Sequence, residues 1–298
     1  MLPKTSFERH RLIASGRLCF AASILFLITI FLASCAGTID RSFLYDAERG
    51  DIKAVKAAIN KGIDVNSVAY GTPALVIAAY SGQIEVVRLL IDKGADVNKQ
   101  DTKYGNTALI AAVAQGHNGI VKLLLEKGAN VNLPGQGGGT AVAFAVESKQ
   151  GSLEILRMLL DRGADVNTRN NTNSTPLMNA SVDGHLEIVK LLLDRGANVN
   201  SGNKMNITAL MYASRNGHLD TVKLLLDRGA DVNAENEDGF TPLISASTEG
   251  HSGVTQLLLD KGADVNRRDK VYGRSALMWA EKNGYGDIIQ FLKSRGVK

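Results

Sequence analysis

From residue 41 to its end the chain repeats itself about every 33 residues, and this period limits the fold more than any other feature. One repeat reads Thr175-Pro-Leu-Met-Asn-Ala-Ser-Val-Asp-Gly-His-Leu-Glu-Ile-Val-Lys-Leu-Leu-Leu-Asp-Arg-Gly-Ala-Asn-Val-Asn200. Its first glycine recurs at Gly50, Gly82, Gly116, Gly151, Gly184, Gly217, Gly250 and Gly284. Its second recurs at Gly62, Gly94, Gly128, Gly163, Gly196, Gly229, Gly262 and Gly296. Eight repeats result, over about 41–69, 70–103, 104–136, 137–171, 172–204, 205–237, 238–271 and 272–298.

Each repeat predicts two short helices. Thr175 is placed to cap the first, with Pro176 in its first turn. Leu177, Ala180 and Ser181 give that helix a small, apolar face. Gly184 allows the tight turn that follows. The second helix carries Leu186, Val189 and Leu193 on one face, with Ile188 and Leu192 beside them. Gly196 ends it, and Val199-Asn200 begins an extended connection. A lone helix pair cannot bury its apolar face, so stacked neighbours must do so.

These repeats resemble the ankyrin family over nearly all of the chain after residue 40. The family's Thr-Pro-Leu-His start is present as Thr175-Pro176-Leu177-Met178 and Thr241-Pro242-Leu243-Ile244, with Thr-Ala-Leu at 107–109 and 208–210 and Ser-Ala-Leu at 275–277. The family's histidine is replaced by an apolar residue throughout, which removes a structural hydrogen-bond network rather than a site. The resemblance implies an all-α ankyrin-repeat solenoid of about eight helix-turn-helix units with β-hairpin fingers. At 8–10 Å per helix layer, the expected rod is on the order of 80 Å long. Its first repeat, Phe43 to Asp51, lacks the Thr-Pro start and reads as a cap; Lys293 and Arg295 read as the polar cap at the other end.

In ankyrin proteins partners meet the finger tips and the inner face of the first helix. Laid onto this chain, that places Tyr70, Tyr104 and Tyr272 at finger tips, with Phe240 one step away. Tyr45, Phe144, Tyr212 and Trp279 fall at the fifth position of the first helix, and Tyr80 at the eighth. The expected contact residues are Tyr70, Tyr80, Tyr104, Tyr212, Phe240, Tyr272 and Trp279, because Tyr and Trp dominate binding energy when they anchor in a pocket. The competing reading is that fifth-position residues pack and that Tyr-Gly is turn chemistry. Repeat four, with extra residues at Glu147-Ser148-Lys149-Gln150 and a glycine-rich finger at 134–139, is expected to be the looser point.

Before the repeats lies a different kind of segment. Lys4, Arg9, Arg11 and Arg17 precede an apolar run from Leu18 to Leu32, and small residues lead to Cys35. Leu32-Ala33-Ser34-Cys35 resembles a bacterial lipobox. That implies a signal peptide over 1–34, a lipid on the Cys35 sulfur, and a tether over 35–40 that reaches at most about 20 Å. Alternatively, Leu18 to Ala33 is retained as a membrane anchor, though it is short for a span of about 20 residues. Both place the repeats outside the cytoplasm. Ala36 after the cysteine resembles the outer-membrane rather than the inner-membrane sorting case.

Composition removes several functions. Residues 1–34 hold four Lys/Arg and one Glu, so of 34 basic and 30 acidic residues the remainder keeps 30 and 29. Near-neutral charge argues against nucleic acid, which needs clustered cations. With Cys19 in the leader, Cys35 has no partner for an internal disulfide. His117, His185, His218 and His251 occur one per repeat, about 10 Å apart, too far to share a metal. No acid/base or nucleophile constellation emerges, so no catalytic residue, metal or cofactor is expected. Arg88/Asp92, Lys122/Glu126, Arg157/Asp161, Lys190/Asp194 and Lys223/Asp227 read as i,i+4 pairs on a solvated face. The expectation is a monomeric, non-enzymatic, lipid-anchored scaffold that binds another protein of the bacterial envelope or periplasm. Glycan or cell-wall binding, and inhibition of a toxic enzyme by an immunity-type partner, are the alternatives.

Overall fold

The computed structural model describes residues 38–147 and 153–296. The proposed leader, Cys35 and the first part of the tether lie outside the described residues, as do 148–152 of repeat four. The described chain divides into two compact blocks, residues 37–204 and 205–298. Sixteen α-helices and one two-stranded sheet are present among the described residues.

The 37–204 block holds five helix pairs: α1 (Thr38–Arg49) with α2 (Ile52–Asn60), α3 (Ala74–Tyr80) with α4 (Ile84–Asp92), α5 (Ala108–Ala114) with α6 (Asn118–Glu126), α7 (Ala141–Glu147) with α8 (Leu153–Asp161), and α9 (Pro176–Asp183) with α10 (Leu186–Asp194). The 205–298 block holds three: α11 (Ala209–Arg215) with α12 (Leu219–Asp227), α13 (Pro242–Glu249) with α14 (Ser252–Asp260), and α15 (Ala276–Asn283) with α16 (Gly286–Ser294). Within each block first helices stack on first helices and second on second.

The first helices start where the sequence predicts. Thr107, Thr175, Thr208, Thr241 and Ser275 each accept a hydrogen bond from the backbone N–H three residues on. The apolar residue in place of the family's histidine is buried at Ile110, Met178, Met211 and Ile244. It therefore contributes core packing, worth about 1.5–3 kcal/mol per large side chain. The second helices differ from the expected face by one position. In α10 the fully buried side chains are Val189 and Leu192, flanked by Ile188, while Leu186 and Leu193 are only half-buried.

Only the first finger is a β-hairpin among the described residues: β1 (Val68–Ala69) pairs antiparallel with β2 (Thr72–Pro73). Other fingers close on a pair of backbone bonds without a strand ladder, such as Asn170 N to Ser174 O (3.2 Å) with Asn173 N to Asn170 O (2.8 Å), and Asn236 N to Phe240 O (3.1 Å) with Gly239 N to Asn236 O (3.0 Å). They spend their remaining backbone groups on the neighbouring finger, with Thr102 N donating to Gly71 O (2.7 Å) and Lys270 N to Asp238 O (2.8 Å). Three of the five i,i+4 carboxylates also take their close ion-pair partner elsewhere. Asp92 meets Lys127 (3.5 Å), Asp161 meets Arg195 (2.8 Å) and Asp227 meets Lys261 (2.8 Å), each in the next repeat. Stacking brings the last-turn carboxylate closer to the following repeat's cation than to its own helix neighbour. The Lys261 hydrogen bond holds the Asp227 carboxyl below the ordinary carboxylate range.

Four of the Val-Asn asparagines clamp successive repeats together. Asn233 donates from Nδ2 to Gly262 O (3.3 Å) and accepts from Asp264 N (2.8 Å). Asn66, Asn132 and Asn167 repeat both bonds with their following repeats. One amide side chain thus satisfies a carbonyl and an N–H at the end of a helix, where backbone groups lack helical partners.

Candidate partner-binding surface

Two of the repeat histidines are framework residues. His117 Nε2 donates to the Tyr80 carbonyl (3.0 Å) and His251 Nε2 to the Arg215 carbonyl (2.8 Å), each at the end of the preceding repeat's first helix. No group of His, Cys, Asp and Glu among the described residues could hold a metal ion.

The aromatic residues sort into three environments. Tyr45 and Tyr70 are the most exposed, at 54% and 50%. Arg49 lies over the Tyr45 ring and donates to its hydroxyl (2.9 Å), and Arg41 lies 4.9 Å from the Tyr70 centroid. Tyr80, Tyr104, Tyr212 and Tyr272 are half-buried. Burial raises the Tyr80 phenol above its ordinary pKa, and Lys103 covers the Tyr104 ring at 4.8 Å.

Phe240 and Trp279, expected to meet a partner, are buried at 5% and 6% exposed. Their ring centroids are 6.0 Å apart, and Tyr272 packs edge-on against Trp279 at 5.4 Å. The indole Nε1–H donates to Asp269 Oδ2 (2.9 Å). Phe240, at the end of the 236–240 finger, and Trp279, on α15, are core beside the last finger and leave the set of contact residues, because their faces and the indole donor are spent within the chain. Phe144 is buried as well. The structure brings Phe240, Tyr272 and Trp279 together, while Tyr70 and Tyr104 meet cations.

Two residues that position the finger tyrosines were missed in the sequence. Asp269, 2% exposed, accepts from the N–H groups of Val271 (3.0 Å), Tyr272 (2.6 Å) and Arg274 (3.0 Å) as well as the indole. Asp101, 4% exposed, accepts from Lys103 (3.0 Å), Tyr104 (2.6 Å) and Asn106 (2.9 Å). Asn170 and Asn236 occupy the same place in shorter fingers. The signal was available: an Asp or Asn recurs three residues after the Val-Asn asparagine, at 101, 170, 203, 236 and 269.

Tyr70 has a left-handed backbone, φ 55°, next to Gly71 at 84°. This two-residue loop is the type I′ turn, in which both central residues need positive φ and Asn-Gly is favoured. The other non-glycine residues with positive φ among the described residues are asparagines, Asn173 and Asn206. A Cβ on Gly71 would come 2.5 Å from Thr102 Oγ1, so the tip also needs glycine for the next finger's approach.

Within each block, helix pairs that stack, are clamped by asparagines and carry fingers bonded to one another define a repeat scaffold. The sequence model described as "Ankyrin repeats (3 copies)" matches residues 41–101, 100–170, 145–236 and 228–298. The chain belongs to the ankyrin-repeat family. Repeats of this family are in general protein–protein interaction scaffolds and typically non-enzymatic. No curated protein matches the chain. Among the described residues no helix is long and apolar enough to cross a membrane.

Proposed function

We propose that this chain is a non-enzymatic scaffold that binds another protein of the bacterial envelope or periplasm through its finger tips and first helices. Its N-terminus is held at the membrane by a lipid on Cys35. The observation that supports binding is Tyr70. A bulky side chain in the left-handed region costs about 1–2 kcal/mol, and a half-exposed ring returns little of that to the fold. An exposed aromatic kept at a site that asparagine would fill without strain is explained by a contact outside the chain. The anchor rests on the order of the first 35 residues, basic, then apolar, then small, then cysteine.

The test of binding uses the full chain in detergent against envelope extract, beside Tyr70→Asn. The variant melts slightly above the wild type, since relief at φ 55° exceeds the lost Arg41 contact, and holds its partner about tenfold more weakly. Equal retention by both chains would remove Tyr70 from the contact surface. Partner loss after glycan digestion would replace protein binding by glycan binding. For the anchor, Cys35→Ser leaves an uncleaved precursor without lipid, detected by loss of fatty-acid labelling. Undiminished labelling would overturn lipidation at Cys35.

A further inference from the structure

We propose that the last finger and α15 form a docking surface for a carboxylate-bearing, acidic protein segment, gripped by Arg268, Arg274 and Lys282 around the Trp279–Tyr272 pair. This rests on the reading of the chain as a protein-binding scaffold and names the chemistry of what that part of it binds. Arg274 lies 5.0 Å from the Tyr272 centroid and 4.9 Å from that of Trp279, and Lys282 lies 4.6 Å from Trp279. Arg268 Nη1 reaches the Gly273 carbonyl (3.1 Å) and the Met278 sulfur (3.7 Å), on the same finger and helix.

None of the three cations has an ion-pair partner among the described residues. The nearby carboxylates are committed elsewhere. Glu235 is held by Arg267 (3.2 Å) and Lys270 (2.5 Å), Glu281 by Lys293 (2.9 Å), and the Asp269 oxygens accept backbone and indole N–H groups. Arg274 Nη1 is buried without a hydrogen-bond acceptor, and no carboxylate pairs with its guanidinium among the described residues. Unneutralised cations fixed over aromatic faces gain when carboxylates arrive, because the ordering cost of the side chains has already been met. Residues 205–298 hold twelve Lys/Arg and twelve Asp/Glu. The positive charge is therefore a local patch of three groups rather than a basic stripe, which fits a few carboxylates on a peptide better than a phosphate track.

Trp279 is the only tryptophan of the chain, so its fluorescence reports on this surface alone. The full chain in detergent is titrated with a twelve-residue Glu-Ala peptide, with its Gln-Ala counterpart, and with an oligothymidylate of equal charge. Trp279 emission is expected to change saturably with the Glu peptide alone, and the change to weaken with added salt. Arg268→Gln with Lys282→Gln, both exposed positions, is expected to weaken binding about tenfold with unchanged melting. No emission change, an equal response to the Gln peptide, an indifferent double variant, or equally tight oligonucleotide binding would each overturn the proposal. If the acidic peptide fails while Tyr70-dependent capture persists, this inference falls and the scaffold reading stands. Peptide binding without Tyr70-dependent capture would uphold this surface and remove Tyr70 from the contact residues.

Discussion

Asp269→Ala is expected to lower the stability of the 205–298 block by about 3–4 kcal/mol, the largest effect of any single side-chain truncation in the last finger. The carboxylate is 2% exposed and accepts four hydrogen bonds, three from the backbone of its own finger and one from the Trp279 indole. Alanine leaves all four donors without that acceptor. Water at the finger tip can recover the Val271 and Tyr272 N–H groups, and it reaches the buried indole less well. Urea unfolding followed by Trp279 emission measures both consequences, a lower midpoint and a red-shifted folded spectrum. Asp269→Asn keeps one carbonyl oxygen for Val271 and Tyr272 but turns a donor or nothing toward Arg274 N–H and the indole, so about half the loss is expected. Asp101→Ala removes three bonds and no indole partner, and belongs below Asp269→Ala. An unchanged midpoint for Asp269→Ala would mean that the finger is held by its neighbour's backbone bonds instead.

Gly217→Ala is expected to cost about 3 kcal/mol, because it meets two obstacles at once. Its φ is +74°, where a Cβ is strained, and that Cβ would lie 2.5 Å from His251 Nδ1 and 2.6 Å from Cε1. The ring cannot simply turn away, since its other nitrogen donates to the Arg215 carbonyl at 2.8 Å. Gly229→Ala separates the two causes. It has φ +85° and nothing within 4 Å of the added carbon, so it carries the backbone strain alone, about 1 kcal/mol. Thermal or urea unfolding of both variants gives the comparison. Equal losses would show that the histidine relaxes freely and that the close approach of successive repeats at this turn costs nothing to disturb.

The period of about 33 residues, the Thr or Ser caps, the glycines at both helix ends and the apolar character of the helices are local signals, and each is found where the sequence predicts it. Thr175 caps α9, and Gly184 ends it in the left-handed conformation. These features follow from short-range sterics and hydrogen bonding within one repeat, so one repeat's residues are enough to read them. The buried carboxylates at the finger bases are also written in the chain, as an Asp or Asn at a fixed offset. Helical periodicity does not point to them, because they lie in the connections, where no apolar pattern marks which polar side chain turns inward.

What the sequence determined by itself is the family, the repeat period and the residues that cap the first helices. What only the tertiary structure decided is the fate of side chains whose partners lie a whole repeat away. Asp161 and Asp227 had plausible partners four residues back, and stacking gave them nearer ones in the next repeat. Phe240 and Trp279 stood beside the finger tyrosines in the sequence, and packing buried them while leaving Tyr70 half-exposed. The physical reason is distance: a contact about 33 residues apart in sequence is set by how one helix pair settles on the next, and no property of a single repeat contains that geometry.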